Sequence, residues 1–300
     1  MPAFQLIPAC KDYAWGGHRC LREDYAVKSD LEPLAEAWML SARPDSPSLI
    51  QGGDFGGMSF PDYLAKAGAK ALGTLGQKFE TFPMLVKLID AKQGLPVQAY
   101  PTEEYAQAHG QASKAKLWVV LDAVPGAYLY CGLEHEVTRE ELQGHIADGT
   151  LSGLLRKVPV KKGDAFFIPS GTLHALGEGL VVAAFQENTD ATLYVFEGDS
   201  LPAEGEAALE AVSLRPMEPV DAAPHLCQCP GFTVDRYVGT TDGVCGKDSF
   251  HVLLVVDGGA TLYCDGEHKT LSKGGCFFLP AGCGPYRLEG NCEILAAYLS

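Results

Sequence analysis

The chain has 300 residues and a net charge of −15, with 47% apolar residues. That length suffices for one large or two modest buried cores, and the acidic balance argues against a nucleic-acid partner, which needs a basic surface. No apolar run reaches the roughly eighteen residues of a membrane span.

The N-terminus, Met1-Pro2-Ala3-Phe4-Gln5, has no basic stretch followed by an apolar core, so no signal peptide is expected. The ten cysteines then read as reduced thiols, and a cytoplasmic location is expected. Cys227-Gln228-Cys229 is a close pair without a second pair nearby, which reads as a loop coincidence rather than a metal site. No separate oligomerisation segment stands out, and a monomer is expected.

In chain order, Lys11 to Gly17 is an aromatic turn segment containing Trp15. Pro33 to Ser41 is predicted to be a strand. A helix is predicted over about 59–75, with Ser59 as its cap ahead of Pro61. Phe82 to Asp90 reads as a buried strand that embeds Lys87, whose charge requires a carboxylate partner such as Asp90 or an opening into a cleft. A short helix over 102–109 has Glu103 and Glu104 in its first turn. Leu117–Leu121 and Ala127–Cys131 are predicted strands. Thr138-Arg139-Glu140-Glu141 is a capping box that opens a helical stretch over about 138–157.

The segment Lys161 to His174 carries the most information. Gly163 and Asp164 supply a turn, Phe166-Phe167-Ile168 a short buried strand, and Pro169 and Gly171 its end. His174 follows at the far end, as a small barrel with a histidine at its mouth requires. The phrase returns at Lys273 to Pro285, matching at Lys, Gly, Phe, Phe, Pro and Gly, with Pro285 in the place of His174. Internal repetition points to two related β modules. Gly179–Gln186 and Thr192–Glu197 are β-type. Residues 198–224 read as a connector with a strand near Val212. From Gly231 onward Phe232–Val238, Phe250–Val256, Ala260–Cys264, Gly275–Leu279 and Glu293–Tyr298 are strands. Short strands with glycine-rich turns suggest jelly-roll or cupin-like barrels.

Several segments together resemble a known family. They are Lys11-Asp12-Tyr13-Ala14-Trp15-Gly16-Gly17, Glu36-Ala37-Trp38, Phe82 to Lys92, Pro169-Ser170-Gly171-Thr172-Leu173-His174-Ala175-Leu176, and Gln186-Glu187-Asn188-Thr189-Asp190. The set resembles type I mannose-6-phosphate isomerase in its short bacterial form. The resemblance implies a mostly β fold of two cupin modules with a small helical insertion. The expected layout is a catalytic-type domain over 1–200, a connector over 201–230 and a second, site-less domain over 231–300. It also implies zinc-dependent interconversion of mannose 6-phosphate and fructose 6-phosphate.

The departures from the family pattern fall on the implied site. The Gln-x-His-Pro strand reads Gln98-Ala99-Tyr100-Pro101, placing Tyr100 at a histidine position. The Lys-x-Glu-x-Trp segment reads Lys114-Ala115-Lys116-Leu117-Trp118, placing Lys116 at a glutamate position. Tyr194 stands where the family has a catalytic arginine. Gln98 and His174 alone survive as metal donors, fewer than zinc requires, and a cation at Lys116 opposes a divalent metal.

Zinc is therefore expected to bind weakly or not at all, and the chain reads as a divergent or inactive homologue that holds a sugar phosphate or another small anion. Lys114, Lys116 and Tyr194 are the candidates for residual catalysis, and Lys87, Trp15 and Glu187 for binding. Two alternatives remain open. One is an isomerase working without metal, with Lys116 as base and His174 or Tyr100 stabilising the enediolate. The other is a zinc isomerase with a shifted ligand set drawn from His109, Glu103 and Glu104. His18, His135, His145, His225, His251 and His268 read as surface or turn residues.

Overall fold

The computed structural model describes residues 2–17, 20–196, 205–217 and 224–300, with the backbone alone at 196 and 205–207. His18, the expected boundary at residue 200, and connector residues 201–204 and 218–223 lie outside the described residues. The fold is mostly β, two cupin modules with few helices. Among the described residues no helix is long and apolar enough to cross a membrane.

Contacts divide the chain into two compact units, Met1–Ile89 with Asp221–Ser300, and Asp90–Val220. This division does not follow the expected partition at 1–200 and 231–300, and strand pairing is the reason. Phe4–Ile7 lies antiparallel between Cys276–Leu279 and Leu49–Gln51, so the N-terminal chain completes the sheet of the C-terminal module.

That sheet runs Cys227–Cys229, Phe232–Val238, Gly284–Tyr298, His251–Cys264, Cys276–Leu279, Phe4–Ile7, Leu49–Gln51. Its core includes Leu253, Val255, Leu262, Phe277, Leu288 and Ile294. Phe278 packs against Phe4, Phe60 and Phe250 at ring-centroid distances of 5.5, 5.0 and 5.4 Å. Two predicted strands, Phe250–Val256 and Ala260–Cys264, are one strand, His251–Cys264. Asp257-Gly258-Gly259 has turn composition but pairs with Glu293, Cys292 and Asn291, just past a bulge between Val255 and Asp257. A Cβ on Gly258 would lie 2.0 Å from the Asn291 carbonyl oxygen, so glycine is there for close approach of two backbones.

In the second unit Lys116–Ala123 pairs with Ala165–Ile168 and with Leu180–Glu187. A five-stranded sheet runs Leu193–Phe196, Val97–Ala99, His174–Leu176, Tyr128–Leu133, Leu155–Pro159. Leu142 and Ile146 from the helix Arg139–Ala147 share a core with Leu133, Leu173, Leu209 and Val212.

The two copies of the repeated phrase fold alike. Ala165–Ile168 and Cys276–Leu279 occupy equivalent positions. Gly163 and Gly274 both have positive φ (94° and 81°), as do Gly171 and Gly282 (79° each). The turns make matching bonds, Gly163 N–H to Val120 O and Gly274 N–H to Val255 O, both within 2.9 Å. They differ in burial. Phe277 and Phe278 are buried, whereas Phe166 and Phe167 are only half-buried, so the first strand is buried at Ile168 alone and not along its length.

Helical expectations hold at the caps and fail at the ends. Ser59, Thr102 and Thr138 each accept a backbone N–H three residues on, which is N-capping. The helix expected over 59–75 stops at Ala67, because Gly68 takes φ 69°, and resumes only as short turns. Leu155–Pro159 is a strand rather than the tail of a helix. The strand expected near Val212 is instead the end of the helix Gly205–Ala211, consistent with its Ala, Leu and Glu content.

Candidate functional site

Strand alternation assembles the site in the unit Asp90–Val220. Residues two apart share a face of a strand, so Lys116 and Trp118 align; Lys114, Tyr100 and Thr172 lie within two residues of the strands Lys116–Ala123, Val97–Ala99 and His174–Leu176. Register completes it: His174 is opposite both Gln98 and Cys131.

The His174 ring is fully buried and packs against Tyr100 and Trp118 at centroid distances of 5.1 and 5.3 Å. Lys116 Nζ lies 4.8 Å from the ring centres of both Tyr100 and Trp118, and Lys114 Nζ lies 4.5 Å from Tyr100. Both lysines are 4% exposed. Desolvated cation–π contacts of this kind contribute about 2 kcal/mol each.

A second set of bonds holds the lysine-bearing segment. Glu187 accepts from the Ala115 N–H at 2.9 Å, and Lys114 Nζ donates to the Thr189 carbonyl at 3.2 Å. The Ser113 hydroxyl donates to the Pro101 carbonyl at 3.1 Å. Glu187, a candidate binding residue, is thus a clamp on the strand's entry.

The protonation of His174 follows from its partners. Nδ1 is 2.8 Å from the Thr172 carbonyl oxygen, which only accepts, so Nδ1 carries the proton and Nε2 presents a lone pair. Burial first, and the Lys116 ammonium second, hold this imidazole well below its ordinary value, against the opposing effect of the Thr172 bond. His174 is therefore neutral at pH 7. Its Nε2 has no hydrogen-bond partner, and neither does the buried Trp118 Nε1. One acceptor and one donor, both in contact rings, lie unsatisfied beside two cations. Most buried polar side-chain atoms have a hydrogen-bond partner.

His174 is surrounded by two aromatic rings and two ammonium groups, with Cys131 and Gln98 opposite it in register, and among the described residues there is no group of three His, Cys, Asp or Glu that could hold a metal. His109 is exposed on the helix Glu103–His109 with Nδ1 bonded to the Tyr105 carbonyl, and Glu103 and Glu104 are exposed on its first turn.

The remaining candidates lie elsewhere. Tyr194 is opposite Gln98 on the edge strand Leu193–Phe196 and is 45% exposed. Lys87 belongs to the other unit, where it meets Glu36 Oε2 at 2.9 Å and lies 4.5 Å from the Trp38 ring centre. The predicted carboxylate partner is thus Glu36 and not Asp90; Trp38 Nε1 donates to the same oxygen at 2.7 Å. Trp15, in that unit too, stacks on Tyr13 at 5.4 Å. Two members of the His174 cluster were not nominated from sequence, Trp118 and Thr172. The period-two spacing from Lys116 and from His174 was the signal for both.

Comparison with known proteins identifies this architecture. The catalytic domain of type I phosphomannose isomerase matches residues 3–118, and the mannose-6-phosphate isomerase cupin domain matches residues 225–299. The probable mannose-6-phosphate isomerase GmuF of Bacillus subtilis is 30% identical, over 98% of each chain.

The chain belongs to the type I mannose-6-phosphate isomerase family.

The mannose-6-phosphate isomerase of Streptococcus mutans is also 30% identical, over 95% of this chain and 94% of its own. The crystal structure of the Bacillus subtilis mannose 6-phosphate isomerase superposes with a TM-score of 0.86 at 27% identity, covering 99% of both chains. A mannose 6-phosphate isomerase solved with zinc and yttrium bound has the same fold, with a TM-score of 0.80 at 19% identity over all of both chains.

Proposed function

We propose that this family member binds a sugar phosphate or a related small anion without a resident zinc, and has lost the family's metal-dependent isomerisation. The observation that carries this reading is the pair Lys114 and Lys116, two ammonium groups on the Tyr100 face beside a neutral His174. Cations there suit an anionic ligand and oppose a divalent metal. The unsatisfied Trp118 Nε1–H and His174 Nε2 lone pair match a hydroxyl, which both accepts and donates. A phosphorylated polyol offers both kinds of group.

The test is metal analysis of protein purified without chelator, together with titration of mannose 6-phosphate. The expected result is substoichiometric zinc and saturable binding. Lys116→Ala should weaken binding by about tenfold or more, the loss of one charge-assisted contact. One equivalent of zinc, removed by His174→Ala, would overturn the proposal.

The bare Nε2 supports a second reading, isomerisation without metal. The tautomer of His174 reverses the roles expected from sequence. A neutral imidazole with its proton on Nδ1 offers a lone pair at Nε2, so His174 would act as the base moving a proton between C1 and C2, and Lys116 would stabilise the enediolate. Turnover of mannose 6-phosphate that resists chelators and disappears in His174→Ala would establish it in place of the first.

A further inference from the structure

The unit Met1–Ile89 with Asp221–Ser300 holds a pair of cysteines that the reading above does not use. Cys264 ends the strand His251–Cys264, and Cys283 sits in the turn before Gly284–Tyr298. Their sulfurs are 2.7 Å apart. This is inside ordinary sulfur contact and not far beyond the bond length of about 2.05 Å. Both residues line a cavity of 970 Å³, together with Tyr286 and Arg287.

Cys245, in the same unit, is committed differently: its Sγ faces the carbonyls of Leu279 and Pro280 at 3.5 and 3.2 Å.

We propose that Cys264 and Cys283 are a redox modification site, closed to a disulfide by a hydroperoxide that enters through this cavity. One thiolate attacks the peroxide O–O bond, giving a sulfenic acid and, from hydrogen peroxide, a hydroxide that takes up the proton released by the thiol and leaves as water. The second thiol attacks the sulfenic sulfur, forms the S–S bond and releases a second water. The two sulfurs together lose two electrons, and the peroxide gains them.

The bond ties the end of a long strand to a turn, across the intervening strands of residues 265–282, and fixes one wall of the cavity. Burial, and then the Cys264 sulfur, push the Cys283 thiol up. Thiolate at Cys283 is thus scarce near neutrality and oxidation through it speeds up in alkali.

The wild-type chain is treated with hydrogen peroxide, quenched, alkylated in denaturant without reductant, and mapped by mass spectrometry. Two of its ten thiols should escape alkylation, and a peptide joining Cys264 to Cys283 should appear, lighter by two hydrogens and split by dithiothreitol. Below the thiol pKa the rate should rise up to about tenfold per pH unit. The same treatment of the unfolded chain should give mixed pairs, because only the fold brings these two together. Cys283→Ala and Cys264→Ala should each lose the linked peptide. Ten alkylable thiols after treatment of the folded chain would overturn the proposal. So would a different pair, or sulfinic acid at Cys264 without a link.

Discussion

The two copies of the repeated phrase share a backbone and differ in what they surround. In the first, the chain turns at Gly171 and delivers His174 into a cluster with Lys116, Trp118 and Tyr100. Its Nε2 is left without a partner. In the second, Pro285 replaces the histidine, and the module's buried histidine comes from another strand. His251 meets the Tyr286 hydroxyl at 3.0 Å and stacks on Tyr298 at 5.0 Å; Tyr298 donates to Asp235 at 2.8 Å, and Asp235 also meets His225 at 2.6 Å. One polar cluster is closed on itself by protein partners, as a structural network should be. The other keeps a bare acceptor and a bare donor beside two cations. That contrast is what marks the first cluster as the candidate site, where composition alone does not.

The most drastic way to break the contrast is to restore the family's donors in the first module. The double variant Tyr100→His and Lys116→Glu replaces an aromatic ring and a cation by two ligands beside His174. It should bind one zinc per chain, against the substoichiometric content expected of the wild type, as metal analysis after dialysis will show. A double variant no richer in zinc than the wild type would mean that those two positions do not control zinc binding.

Burial gives the next largest effect. Phe278→Ala removes a ring packed among Phe4, Phe60 and Phe250 and should cost about 3–5 kcal/mol in urea unfolding. Phe167→Ala, at the equivalent place in the first copy, removes a half-buried ring and should cost about 1–2 kcal/mol. Equal losses would mean that the two copies are packed alike.

The legible part of this molecule was local. The caps Ser59, Thr102 and Thr138, the repeat with its four positive-φ glycines, and the departures at Tyr100 and Lys116 could all be read from residue order, because turn and capping chemistry act within a few residues. Long-range pairing was not legible. Nothing in Phe4–Ile7 announces that it joins Cys276–Leu279, and Asp257-Gly258-Gly259 carries turn composition while continuing the strand His251–Cys264. The candidate cluster was legible only in part, in Tyr100, Lys114, Lys116 and His174 but not in Trp118 or Thr172, and the states of its members were not legible. Proton placement on His174 depends on the carbonyl of Thr172, and the pairing of Lys87 depends on Glu36 across a strand register. His251 was misread as a surface or turn residue because its burial is set by strands remote in sequence.

The two buried histidines give the mildest test, through acid stability. Burial lowers the His251 value from 6.5 to about 4, with Asp235 opposing, and His174 is lowered further below its ordinary range than burial alone would take it, because Lys116 and Lys114 add to the effect. A depressed folded value means that the unfolded chain binds the proton first. The stability these groups contribute is therefore complete above about pH 6.5 and is lost as pH falls, at up to about 1.4 kcal/mol per pH unit for each. For His251 the loss ends near pH 4 and amounts to roughly 3 kcal/mol. His251→Phe keeps the stack on Tyr298 and should flatten the fall in urea midpoint between pH 6.5 and 4. His174→Phe should flatten the same limb, starting from the same pH. The two clusters differ in what a ligand does. Excess mannose 6-phosphate should shift the acid limb that depends on His174, whose Nε2 is open, and leave the part that depends on His251 in place. If the sugar phosphate leaves the acid limb of the His251→Phe variant unmoved, the free Nε2 of His174 is a packing feature and not a binding group.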